Sequence, residues 1–377
     1  MKKETRAVHS GTQFDQNIQG TNSPIYTSTA IGYLDSDVTY PRYFNTINQL
    51  AVVAKIADLE KAETGMVFSS GMAAITSTLL TFLKAGDHII FQKGLYGGTF
   101  NWCNSELQKF GIEFTIAEGN SSSDFENALQ KNTKIIYIET PSNPLLKITD
   151  IKAAAKFAQN NNLISVIDNT FASPVNQNPI NLGVDLVIHS ATKYLGGHSD
   201  ICAGAIVGST KLISQIKPTA INFGGSLDAQ TCYLLERSIK TLFVRVNQQN
   251  KNAQQIAQFL EVHPKINKVF YPGLQSSPGF EIAQKQMNGF GGMLSFELKT
   301  GNVIEFQKSL KLIKPAVSLG GVDTIINAPV LTSHRHVPEE ENIKEGITDK
   351  VLRLSVGIEN ADDLIEDLRI ALENSKA

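Results

Sequence analysis

The chain has 377 residues, 42% hydrophobic and 19% charged, which is enough for two or so packed domains with large cores and too much for a peptide-binding module. Its 34 Lys and Arg against 36 Asp and Glu leave a net charge of −2, so there is no basic surplus to neutralise nucleic-acid phosphates. No run approaches the about 18 uninterrupted apolar residues of a membrane span. The opening MKKETRAVHSGTQ carries two lysines with no apolar stretch behind them, unlike an export signal. Cys103, Cys202 and Cys232 are odd in number and show neither CxxC nor zinc spacing, so they read as small buried side chains in a reducing compartment. The expectation is a cytoplasmic globular protein with no nucleic-acid and no membrane partner.

Residues 1–46 are rich in Thr, Ser, Asn, Gln and Tyr, without a helical or alternating apolar period, and read as an arm that packs on something else. From Ile47 the spacing of Leu50, Val53, Ile56 and Leu59 predicts a helix, stopped by Gly65. Short β-branched runs follow at 88–91, 112–116, 134–139, 163–168, 185–190 and 204–208, mostly separated by helical segments such as 71–83, 123–131 and 150–160. Strand and helix in alternation imply an α/β architecture, a largely parallel sheet with helices on both faces. Residues 227–262 read as one long helix stopped by Pro264, a length that suits a connector between domains. Beyond it, strands are expected at 266–270, 293–298 and 351–356 and helices at 302–311 and 361–373, the last capped by Asn360 with acidic residues in its first turn. The expected organisation is an arm over 1–46, a large domain over 47–245 and a smaller C-terminal α+β domain over 246–377, with the boundary inside the long helix.

In an open parallel sheet, ligands bind beyond the carboxyl ends of the strands, so the residues there are the first candidates. Glu139 ends one run and leads to Asn143. Asp168, Asn169 and Thr170 end the next, and His189, Ser190, Thr192 and Lys193 follow a third. Ser69-Ser70-Gly71-Met72 opens an apolar helix, where small residues let backbone N–H groups approach an anion such as phosphate. An acid at one strand end and a lysine just past the next are what pyridoxal phosphate needs. The amine condenses with its aldehyde, and the carboxylate keeps the pyridine nitrogen protonated. Taken singly these residues are ordinary, since a lone Asp closing a strand is usually a turn residue and a lone Lys a solvated charge. His189 and His198 flank the lysine without an acidic cluster, which suits structural hydrogen bonding better than metal ligation, and no metal is expected. Ser190-Ala-Thr-Lys193 also spells the S-x-x-K of serine acylases, but the S-D-N and K-T-G partners of that class do not occur in the sequence.

The runs FSSGMAA (68–74), LYGGT (95–99), ETPSNP (139–144), VIDNTF (166–171), HSATKYLGGHSD (189–200), VSLGGV (317–322) and LRLSVG (352–357) resemble, in order and over almost the whole chain, the signature blocks of one enzyme family. That family is the Cys/Met-metabolism pyridoxal-phosphate enzymes, which includes cystathionine γ-synthases, cystathionine lyases and methionine γ-lyases. The resemblance implies a type I pyridoxal-phosphate transferase fold and a homotetramer built as a dimer of dimers, with sites at the subunit interface. It implies pyridoxal 5'-phosphate as cofactor, with Lys193 as the Schiff-base lysine and proton-moving base, Asp168 as the pyridinium partner and Tyr96 as the ring stacked on the cofactor. Gly71 and Met72 by backbone, with Ser190 and Thr192 by hydroxyl, would hold the phosphate, and Tyr40 and Arg42 would reach the phosphate of the neighbouring subunit. Asn143, Ser318 and Arg353 would surround the substrate carboxylate, whose planar shape suits the guanidinium fork. With Asp168, Lys193 and Arg353 all retained, a binding-only protein with a dead lysine site is disfavoured.

The chain departs from the family on the substrate side. Gly98 stands where methionine γ-lyases generally carry cysteine, and Val317 where many γ-synthases and γ-lyases carry glutamate. An apolar side chain cannot grip the distal ammonium of cystathionine or the amino group of an incoming cysteine. Phe44, Thr46, Asp323 and the run 327–334 also differ from the usual pattern. The expected activity is a carbon–sulfur lyase acting on cystathionine or related sulfur amino acids by β- or γ-elimination. γ-Replacement on an O-acylhomoserine is the alternative, and a methionine γ-lyase the second alternative. His334 and His336 are expected in a mobile entrance loop rather than as a ligand pair.

Overall fold

The computed structural model describes residues 1–335 and 337–374, and His336 lies outside the described residues. The first part of the chain contains α1 (Lys3–His9), α2 (Ile47–Glu60), β1 (Thr64–Phe68), α3 (Gly71–Phe82), β2 (His88–Phe91), α4 (Gly97–Ser105), β3 (Glu113–Ile116), α5 (Ser122–Asn127) and β4 (Thr133–Glu139). There follow α6 (Ile151–Asn160), β5 (Ile164–Asp168), α7 (Ser173–Asn176), β6 (Leu186–His189), β7 (Gly204–Gly208), α8 (Thr210–Phe223), α9 (Ala229–Ile239) and α10 (Leu242–Glu261). The remainder holds β8 (Ile266–Phe270), α11 (Phe280–Gln286), β9 (Met293–Leu298), α12 (Val303–Ser309), β10 (Lys314–Pro315), β11 (Ile325–Asn327), α13 (Glu339–Glu345), β12 (Val351–Ser355) and α14 (Ala361–Asn374).

A seven-stranded sheet in the order β1-β7-β6-β5-β4-β2-β3 carries the first part. β2 through β6 pair in parallel, while β7 runs against both β6 and β1, so the sheet is mixed. Its strands alternate sides. Val166, Ile188 and Tyr137 face one apolar cluster with α3 and α8, and Ile167, Val187 and Ile138 face another with α2, α6 and α9. A second sheet, β10-β11-β12-β9-β8, packs Leu294, Phe296, Leu352 and Leu354 against Leu364 and Leu368 of α14. Asn360 caps α14 through the Asp362 N–H at 2.8 Å.

Several expectations need correction. Gly65 is not a helix stop. α2 ends at Glu60, with Lys61 in the left-handed conformation at φ 66°, and Gly65 lies inside β1, a strand the β-branched pattern did not mark. A Cβ at Gly65 would sit 2.3 Å from the Ile206 carbonyl, so glycine serves close strand approach there. Leu50 is exposed; the buried stripe of α2 runs through Val52, Val53, Ile56 and Leu59. The expected long helix is two helices, α9 and α10. Buried Arg245 bridges the break, donating to the Ser238 carbonyl at the end of α9 and to the Tyr194 carbonyl, each at 2.9 Å. The Ser238 carbonyl is also taken by the Thr241 N–H and hydroxyl, each at 3.2 Å, so the break is held locally as well as by Arg245. Leu242 and Val246 of α10 join the core of the first sheet, and Ala253, Ile256 and Leu260 join that of the second.

Near the N-terminus, α1 docks on α2 through Ala7 and an Arg6–Asp58 ion pair of 2.7 Å. Between α1 and α2 the chain leaves Phe14, Ile18, Tyr33, Leu34 and Val38 exposed. Cys103 and Cys232 are buried as expected, but Cys202 is exposed. Among the described residues, no helix is long and apolar enough to cross a membrane.

Candidate active site

The ends of β4, β5 and β6 open onto a crevice of about 630 Å³ that the loops of the second sheet close from the other side. Of the twelve residues expected at the site, ten line it: Gly71, Met72, Tyr96, Asn143, Asp168, Ser190, Thr192, Lys193, Ser318 and Arg353. Tyr40 and Arg42 do not. Arg42 donates to the Ile221 carbonyl of α8 at 2.9 Å and lies 5.3 Å from the Tyr43 ring centroid, outside this chain's own crevice.

Asp168 and Glu139 are the last residues of neighbouring parallel strands and stand in register. Asp168 Oδ1 accepts the Thr170 N–H at 2.9 Å, and Thr170 Oγ1 in turn accepts the Ser190 N–H at 2.8 Å, which links the β5 and β6 ends. Both carboxyls are pushed above their ordinary range by burial, Glu139 well above it, while the Thr170 hydrogen bonds favour the ionised form of Asp168. Glu139 accepts the Tyr96 N–H at 3.0 and 2.9 Å on its two oxygens and so fixes the residue that opens α4. Sequence inspection marked Glu139 as an acid at a strand end but could not show that it grips Tyr96.

Lys193 sits on the turn after β6, and Thr192 closes that turn by exchanging hydrogen bonds with Ala203. Lys193 Nζ donates to Ser318 Oγ at 2.8 Å. Its pKa is held below the ordinary lysine value by burial and then by the positive charge of Arg353, which favours the neutral amine a nucleophile or base requires. Ser318 lies in the loop between β10 and β11 at φ 90°, a conformation unfavourable for a side chain with a Cβ.

Arg353, on the inner strand β12, donates to Asn143 Oδ1 at 2.6 Å and to the Ser318 carbonyl at 3.2 Å. Among the described residues, its Nε and the Nδ2 of Asn143 are buried without a hydrogen-bond partner. Burial pulls the guanidinium down to about 10, so it remains a cation at neutral pH. Two unpartnered buried donors beside a cation fit an anionic group such as a carboxylate. His334 is buried nearby, its pKa lowered to about 4 by burial and by Arg353.

At the opposite end, α3 starts at Gly71, with Ser70 Oγ accepting the Ala73 N–H at 3.1 Å. The N–H groups of this first turn lack intrahelical acceptors and favour an anion. A Cβ at Gly71 would fall 2.9 Å from the Ser190 Cβ, so glycine keeps the helix start against the Ser190 turn. A lysine amine, a strand-end carboxylate and an anion cradle in one crevice fit pyridoxal phosphate.

The sequence profile described as Cys/Met metabolism PLP-dependent enzyme matches residues 4–373. The chain belongs to this family. Pyridoxal phosphate is its cofactor, and when bound it supplies an aldehyde for an amine and an electron-withdrawing ring. The chain is 45% identical to the L-methionine gamma-lyase of Fusobacterium nucleatum, with 99% of each sequence covered. It is 42% identical to the cystathionine beta-lyase of Lactococcus lactis, with 98% of each covered. The crystal structure of cystathionine gamma-lyase from Lactobacillus plantarum complexed with L-serine superposes with a TM-score of 0.96 at 42% identity, covering 100% of this chain and 99% of that one.

Proposed function

We propose that this enzyme is a carbon–sulfur lyase that opens cystathionine or a related sulfur amino acid by β- or γ-elimination, giving a keto acid, ammonia and a thiol. The observation that carries the proposal is the 2.8 Å contact between Lys193 Nζ and Ser318 Oγ in the same crevice as Arg353. It sets a depressed-pKa amine beside the carboxylate subsite, within reach of the Cα proton of an amino acid held there. Lys193 carries the cofactor and moves protons. Asp168 holds a proton at the ring nitrogen, and Tyr96, fixed by Glu139, packs on the ring. The start of α3 at Gly71 and Met72, with the hydroxyls of Ser190 and Thr192, holds the phosphate. Arg353, Asn143 and Ser318 orient the substrate carboxylate, a charge-assisted contact worth about 1.5–3 kcal/mol.

Tyr40 and Arg42, on an arm with exposed apolar side chains, serve the phosphate of a second copy in a homotetramer built as a dimer of dimers. A cytoplasmic location suits the composition. Val317 is exposed at the crevice and offers no charge to the amino group of an incoming cysteine, which weighs against γ-replacement. The deciding experiment is mass spectrometry of what the cofactor-loaded protein makes from L-cystathionine, with O-acetyl- or O-succinylhomoserine plus cysteine in a parallel tube. Pyruvate marks β-elimination and 2-oxobutyrate γ-elimination. Inert cystathionine, with new cystathionine accumulating in the parallel tube, would overturn the lyase reading in favour of a synthase.

A further inference from the structure

Consecutive residues of a strand point to opposite faces of a sheet, so each residue that enters the crevice has a neighbour on the far side. Behind Asp168 and Ser190 these neighbours are Asn169 and His189, and one buried carboxylate receives both. Glu60, the last residue of α2, accepts the Asn169 Nδ2–H at 2.7 Å and contacts His189 Nε2 at 2.6 Å, both on Oε1. Its Oε2 accepts from Asn178 Nδ2 at 3.3 Å, and Asn178 Oδ1 accepts from Lys3 of α1 at 2.5 Å. Asn169 Oδ1 takes the Gln177 amide at 2.9 Å, and the same Gln177 Nε2 donates to the Thr140 carbonyl at 3.0 Å, just beyond β4. Glu60 and Asn169 are fully buried and His189 nearly so, and the chemistry assigned to the crevice uses none of them.

We propose that Glu60 is a positioning residue of the active site: from the far face of the sheet its carboxylate ties the ends of β5 and β6 together, and so sets Asp168 against the cofactor ring and the Ser190–Lys193 turn against its phosphate and aldehyde. The proposal rests on the pyridoxal-phosphate assignment of the crevice. A carboxylate is suited to the task because it accepts several hydrogen bonds at once from donors on different elements. An amide in its place turns one accepting atom into a donor that faces the other donors. The nearby His189 also favours the ionised form of Asp168, so loosening the His189 tether weakens both the placement and the charge of the ring's partner.

The test is Glu60→Gln, assayed by pyridoxal-phosphate titration of the cofactor-free protein, by kcat and KM, and by melting with and without cofactor. By comparison with residues that orient metal ligands from behind, cofactor affinity and kcat are each expected to fall about tenfold or more. KM should move less than about threefold, because Arg353 and Ser318 come from the other sheet. A merely structural carboxylate would lower the melting temperature of both forms equally and leave the cofactor Kd within about twofold of wild type, and that result would overturn the proposal. If Glu60→Gln does not fold, His189→Gln reports on the same tether from β6. If neither variant folds, the network serves the fold alone and the proposal fails. Lys193→Ala run alongside separates the two levels. Should it keep the wild-type visible absorption band, the assignment of the crevice falls and the proposal with it, whereas a lost band with unchanged Glu60→Gln affinity sinks the proposal alone.

Discussion

Lys193 Nζ and Ser318 Oγ are 2.8 Å apart although 125 residues separate them in sequence. The amine comes from the turn after β6 in the first sheet, and the hydroxyl from the loop between β10 and β11 in the second. The Ser318 carbonyl meanwhile accepts from Arg353 on β12. One serine, held at φ 90°, therefore joins the proposed proton-moving lysine to the proposed carboxylate-binding arginine. In the proposed mechanism, an amino acid held by Arg353 would present its Cα to Lys193.

Removing the lysine tests this arrangement most directly. Lys193→Ala is expected to abolish the visible absorption band of the loaded protein and to lower turnover by at least the roughly 10²–10⁴-fold that a positioned acid–base group supplies. Absorption spectra with steady-state rates check both. Ordinary turnover in this variant would remove Lys193 from the mechanism.

Asp168, the proposed partner of the ring nitrogen, has a different signature. Asp168→Ala leaves Lys193 in place, so a visible band is expected to persist after loading with excess cofactor, while turnover drops about a hundredfold or more because the ring nitrogen loses the anion that keeps it protonated. Equal loss of band and turnover would mean instead that Asp168 chiefly supports binding.

Arg353 is proposed to hold the substrate rather than the cofactor. Arg353→Ala removes a charge-assisted, two-pronged contact of about 1.5–3 kcal/mol, which corresponds to a rise in KM of roughly 10- to 100-fold with the visible band unchanged. Arg353→Lys keeps the charge without the fork and should recover only part of the loss. An unchanged KM in the alanine variant would place the carboxylate elsewhere.

The strands and the crevice were legible in the sequence for a physical reason. Parallel strands buried on both faces read as continuous β-branched runs, and the site residues sit at their ends, so the runs ending at Asp168 and Ser190 fell within a residue or two of β5 and β6. What was hidden depends on contacts made across the fold. β1 contains a glycine that resembled a helix stop because its partner β7 lies some 140 residues on, a spacing no local window spans. The gap between α9 and α10 is held in part by Arg245, a tertiary contact with no local signature. β10 and β11 are two and three residues long, too short for any period to show. Cys202 looked like a small apolar residue, yet the turn after Lys193 carries it into the open crevice. The grip of Glu60 on His189 joins residues 129 apart, so the sequence marked His189 for structural hydrogen bonding but could not show its partner.

Acid stability offers a test that does not depend on turnover. His334 is buried beside Arg353, and both burial and that positive charge oppose its protonation, lowering its pKa from 6.5 to about 4. The unfolded chain takes up a proton at this residue below about pH 6.5, while the folded chain resists until about pH 4. The unfolded state thus binds more protons across that window, and stability is full above it and falls as the pH drops through it. The loss reaches about 3 kcal/mol when the whole window is crossed. His334→Gln removes this component. Denaturant unfolding of the cofactor-free protein at pH 7 and pH 4.5, at fixed protein concentration, should show wild type losing about 2–3 kcal/mol more than the variant between the two conditions. Equal losses would mean that other groups carry the acid sensitivity and that His334 is protonated in the folded chain without penalty.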